Sequence, residues 1–179
     1  MTKSLFSQVW IGVTRTVTLA SLTVLATTAV SNQPSYAGSA TFYCGQSKGV
    51  PVTFARTQDG RKRAIIHWTS NAYFPPPWTA QRRCEEVSRR FQRSYDNGTL
   101  KNINPGVLKN QPVICAGTRL NAPCTDNNLL FTLKRGSDPS VTLSRLLDQR
   151  GLAAGRILSE TGFNVDFQLF LENATVEPD

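Results

Sequence analysis

Histidine is nearly absent from this chain: His67 is the only one among 179 residues. A Ser-His-Asp or Cys-His mechanism would have to run through that one imidazole, which sits in the strand-like string AIIHW. No glycine-rich phosphate loop occurs. The four cysteines form no C-x-x-C pair, and with one histidine a zinc site lacks most of its usual ligands. Glu85 and Glu86 are adjacent, so on a helix they diverge by about 100° and do not flank a glycosidic bond as a pair. Scattered carboxylates such as Asp126, Asp148 and Asp166 are what remains for a hydrolase. The expectation is therefore no enzyme, no metal and no cofactor.

Acids are missing from the N-terminus, where residues 1–16 carry only Lys3 and Arg15 as charges. Residues 17–30 are uncharged and largely apolar, and Ser35 and Ala37 stand three and one before a cut ahead of Gly38. This is the pattern of a secretory signal peptide over residues 1–37, leaving 38–179 as the mature chain. The apolar run is short of the roughly 20 residues a membrane span needs, and no cysteine follows it to take a lipid. Length suits a single mature domain with its own core. An even number of cysteines in an exported chain favours disulfides. Four cysteines allow three connectivities. Cys115 ends an apolar run and Cys124 follows a loop with Gly117 and Pro123, which makes a local bridge easy and leaves Cys44 with Cys84.

The mature chain reads as α+β, with six or seven mostly antiparallel strands and two principal helices. Strands are predicted over 40–45, 50–57 and 61–70, the last two joined through the hairpin signal Asp59-Gly60. A helix is predicted over 79–95 with Thr79 as N-cap. Strands over 99–103 and 112–117 flank an expected turn at Asn104-Pro105-Gly106, and another strand covers 129–134. A second helix follows Asp138 and Pro139 and exits at Gly151. Residues 163–171 alternate Phe163, Val165, Phe167, Leu169 and Leu171, which predicts a half-buried strand.

On the helical wheel Cys84, Val87, Phe91 and Tyr95 share one face, while Arg82, Arg89 and Arg93 lie opposite, with Arg83 and Arg90 nearer its edge. Glu86 can pair with Arg82 or Arg90, and Glu85 with Arg89. The arginines are either a solvated face laced with weak ion pairs or a binding surface for something anionic. Charge polarity supports the second reading: residues 44–119 hold thirteen Lys or Arg against four acids, and residues 120–179 five against eight. Trp68, Tyr73, Phe74 and Trp78 surround the run Pro75-Pro76-Pro77. They form either a contact surface for sugar or lipid, or a core in which Trp68 is buried and Trp78 covers the start of the helix.

The strings FYC, PVTFART, IIHW, RRCEEVSRRF, PVICAG and LLFTLK, in that order, resemble the circadian-oscillating-protein domain family of cyanobacteria over residues 41–171. The four cysteines fall at the family's cysteine positions. The resemblance implies an exported cyanobacterial protein, peripherally membrane-associated, with abundance following the daily cycle and no catalytic residues to carry over. Together these readings predict a non-enzymatic protein of the periplasm or the outer face of a membrane, held by its basic surface to membrane or to an anionic envelope polymer. Neither nucleic acid nor a small-molecule substrate is expected as a partner, and oligomeric state is left open. The alternative is a secreted carbohydrate-binding module or protease inhibitor acting through the proline and aromatic segment.

Overall fold

A computed structural model describes residues 40–71, 74–146, 156–159 and 162–178. The first three strands, β1 (Thr41–Ser47), β2 (Val50–Arg56) and β3 (Lys62–His67), run antiparallel as predicted. Lys48 and Gly49, both with positive φ, turn β1 into β2, and Gly60 at φ 75° turns β2 into β3. Helix α1 (Ala80–Asp96) follows, with the Thr79 hydroxyl accepting from the Arg82 N–H at 3.2 Å. It lays Cys84, Val87, Ser88 and Phe91 on the first sheet. The buried Thr53 hydroxyl of β2 takes hydrogen bonds from Ser88 Oγ at 3.1 Å and Trp68 Nε1 at 3.0 Å, so strand, helix and the residue after β3 share one satisfied polar centre.

The chain then supplies β4 (Asn102–Leu108), β5 (Gln111–Gly117), β6 (Leu129–Thr132), α2 (Pro139–Leu146), β7 (Arg156–Ser159), β8 (Gly162–Asp166), α3 (Phe167–Asn173) and β9 (Val176–Glu177). The sheet orders are β1-β2-β3-β9 and β6-β5-β4-β8-β7, with every pairing antiparallel. The class is α+β. Phe42, Phe91, Phe167 and Phe170 pack ring to ring between these layers at centroid distances of 5.7–6.0 Å. Both disulfides join the expected partners: Cys44 to Cys84, tying β1 to α1, and Cys115 to Cys124, tying the end of β5 to the loop before β6.

Two elements differ from expectation. Asn104-Pro105-Gly106 lies inside β4, and the turn is made instead by Lys109 and Asn110, both with positive φ. Proline is tolerated there because β8 pairs with β4 only at Asn102 and Ile103, which leaves Pro105 on an edge. The predicted strand over 163–171 breaks after Asp166, whose carboxylate accepts from the Leu169 N–H at 3.0 Å and starts α3. Phe167 and Leu171, four apart, satisfy helical spacing as well as alternation, but Phe170 fits only the helix; all three are buried while Leu169 is 43% exposed. The predicted exit of α2 at Gly151 lies outside the described residues.

Candidate binding surface and its cleft

Helix α1 divides its five arginines by their angle about the axis. Arg82, Arg89 and Arg93, spaced by seven and four residues, fall on one stripe and are exposed. Trp78, 39% exposed, extends that stripe beyond the N-terminus of α1, with the Arg82 guanidinium 5.9 Å from its ring centre. Arg89 pairs with Glu86, whereas Arg82 and Arg93 have no carboxylate partner among the described residues. Glu85 is taken by Gln81 at 2.8 Å rather than by Arg89.

Arg83 and Arg90 turn inward. Arg90 donates to Glu86 at 2.7 Å and to the Leu130 carbonyl of β6 at 3.2 Å. Burial by itself would raise the Glu86 carboxyl, but hydrogen bonds from Arg89 and Arg90 outweigh it and hold the group below its ordinary value. Arg83 lies between two rings, its guanidinium carbon 5.3 Å from the Trp68 centre and 5.4 Å from that of Phe74. One of its terminal nitrogens donates to the Ser70 carbonyl. Its Nε is buried with no acceptor, and desolvation draws the guanidinium below its ordinary value.

These inward side chains wall a cleft of about 290 Å³ between α1, the segment around the prolines and β6. Trp68, Phe74, Trp78, Leu129, Leu130 and Phe131 give it an apolar lining. A second cavity of about 290 Å³ shares Trp68, Phe74, Arg83 and Phe131, so Arg83 stands between two hollows. Trp68 is 6% exposed, edge-on to Phe131 at 5.7 Å, and serves core and cleft wall together. Tyr73 lies outside the described residues.

The remaining candidates are engaged elsewhere. Asp126 is bound by Lys109 at 2.8 Å, Asp166 caps α3, and Asp148 lies outside the described residues. Gly45-Gln46-Ser47-Lys48-Gly49 has the spelling G-x-S-x-G, but Ser47 ends β1 in a hairpin instead of a strand-to-helix turn, and its hydroxyl donates to Glu177 at 2.9 Å. Among the described residues no helix is long and apolar enough to cross a membrane, and no three His, Cys, Asp or Glu residues gather as metal ligands. The signal that sequence reasoning missed is the cleft itself, because Leu129–Thr132 of β6 stand about forty residues from the helix they face.

No curated protein and no solved structure matches this chain. A family match does exist, running from the first residue of β1 to the penultimate residue of α3 and so taking in both disulfides, α1 and the cleft. Over that span, residues 41–172, the chain matches circadian oscillating protein COP23, and it belongs to that family.

Proposed function

We propose that the protein is a non-enzymatic exported component of the cell envelope that attaches peripherally to an anionic surface, membrane headgroups or wall polymer, through the exposed stripe of α1. The observation that carries this reading is the alignment of Trp78, Arg82, Arg89 and Arg93 on one face, with Arg82 and Arg93 free of carboxylate partners among the described residues. A tryptophan beside guanidiniums suits a boundary that is apolar on one side and charged on the other. A basic side chain near an anionic leaflet contributes about 1 kcal/mol, so three together raise partitioning roughly a hundredfold. Such attachment is reversible and weakens as salt shortens the screening length to about 10 Å at 0.1 M. Two disulfides are compatible with an oxidising compartment, and the N-terminal sequence pattern supports export. Rhythmic abundance, which the family name carries, belongs to expression and makes no demand on these side chains.

The test is sedimentation with vesicles, with and without phosphatidylglycerol, and with isolated wall polymer, at low and high salt. Salt-sensitive binding to one of the anionic surfaces, lost in Arg82→Glu/Arg93→Glu with an unchanged melting curve, is expected. Equal binding to neutral vesicles, or full binding by the folded double variant, rules the reading out. Binding that survives salt but fails in Trp78→Ala would transfer the role to the aromatic segment and a soluble ligand.

A further inference from the structure

Arg83 is one of three side chains among the described residues, with Tyr43 and Asn104, that keep a buried polar atom without a partner, and of the three only Arg83 lines the cleft. Among the described residues its Nε is buried without an acceptor, and a buried donor left in that condition costs stability. The nearest acid on the cleft wall, Glu86, is held by Arg89 and Arg90. Arg83 has no carboxylate partner of its own among the described residues. Trp68 and Phe74 lie against the guanidinium, so an acceptor has to come to its edge. Arg83 lines the 290 Å³ cleft, whose other walls are mostly apolar side chains, with Glu86, Arg90 and Thr132 as the polar ones.

We propose that the cleft binds a small apolar carboxylate, its acid group at the Arg83 guanidinium and its hydrocarbon against Phe74, Trp78 and Leu129. A planar carboxylate presents two oxygens to a guanidinium edge, which a hydroxyl or a ketone cannot do. The volume is that of about ten waters at ~30 Å³ each, which suits a medium-chain fatty acid or a fused-ring acid. An apolar pocket with one placed polar group is the ordinary form of a small-molecule site. The site uses the inward side of α1 and shares only Trp78 with the exposed stripe.

Calorimetric titration of the folded protein with decanoate, decanol and inorganic phosphate, all below micelle-forming concentration, decides it. Decanoate is expected to bind about ten- to a hundredfold tighter than decanol, the ratio set by one charge-assisted hydrogen bond, and phosphate alone not measurably. Equal affinity for acid and alcohol, or no binding of decanoate, overturns the proposal without any variant being needed. Arg83→Met is expected to bring decanoate down to the affinity of decanol, and Arg83→Lys to recover part of the difference. A folded Arg83→Met protein that keeps full affinity for decanoate also overturns it. Arg93→Glu, outside the cleft lining, is expected to leave decanoate affinity unchanged, and a loss there would place the acid on the stripe instead of in the cleft.

Discussion

Arg90 of α1 donates to the backbone carbonyl of Leu130 at 3.2 Å, and Leu130 is the residue that β6 carries in excess at a bulge. Ile114 pairs with Phe131 and Cys115 with Leu129, so Leu130 has no partner in the ladder and its carbonyl needs one from elsewhere. The side chain of a helix on the first sheet thereby completes a strand of the second. Arg90→Leu leaves that carbonyl unsatisfied and releases Glu86 from one of its two cations. A loss of about 1–3 kcal/mol is expected in urea unfolding, against less than about 0.5 kcal/mol for Arg93→Leu on the exposed stripe. Equal losses in the two variants would remove Arg90 from this role.

Glu86 makes the same cluster sensitive to pH. Its folded carboxyl lies below the ordinary 4.5, because the bonds from Arg89 and Arg90 outweigh burial. A group depressed in the folded state contributes stability above its unfolded value, and that contribution is lost as pH falls through the folded value. Glu86→Gln is therefore expected to be less stable than the parent by about 0.5–1 kcal/mol at pH 7, with the difference closing as pH drops below 4.5. Melting curves across that range would show it, and a constant offset at every pH would contradict the assignment.

How much of this was legible in the sequence depends on whether the relevant force is local. Helix α1, predicted over 79–95 and found at Ala80–Asp96, announces itself through Thr79 and a wheel that puts Cys84 and Phe91 together. The disulfides followed from the short loop between Cys115 and Cys124, which left Cys44 with Cys84. Phe167 and Leu171 fit both strand and helix periods, and the decision fell to Phe170, which fits only a helix, and to the carboxylate of Asp166, which caps α3. Pro105 reads as a turn until β4 is known to be half edge. A wheel sets Arg83 and Arg90 nearer the edge of the basic face, but it gives direction from the axis and not what another sheet brings near. The approach of β6 and of Phe74 is what engages Arg90 and Arg83 and leaves Arg82, Arg89 and Arg93 in solvent.

The two disulfides differ in the loops they close, 40 residues apart in sequence for Cys44 and Cys84 and 9 for Cys115 and Cys124. In the chain-entropy account the longer loop contributes about 4 kcal/mol and the shorter about 3 kcal/mol. Cys44→Ala/Cys84→Ala also removes sulfurs that bridge β1 to the buried side of α1, so its measured loss is expected to be the larger. Cys115→Ala/Cys124→Ala should retain the α1 helical signal in circular dichroism. A reversed order of stability would mean that strain or residual structure in the unfolded chain outweighs loop length.

Gly106 tests how closely β4 and the second disulfide are fitted. A Cβ built on it would stand 2.7 Å from Cys124 Sγ, nearer than real Cβ atoms come, while its backbone carries no positive φ that would itself demand glycine. Gly106→Ala must therefore push the sulfur or bend β4, at a cost of about 1–3 kcal/mol for overpacking. In Cys115→Ala/Cys124→Ala the sulfur is gone and the next atom, Cys124 Cβ, is 3.5 Å away, an ordinary contact. There the same substitution is expected to be neutral, or to stabilise by about 0.4–1 kcal/mol because alanine narrows the unfolded ensemble. The cycle of four proteins isolates the contact, and a coupling energy within about 0.5 kcal/mol of zero would show that Gly106 is not there to make room for the bridge.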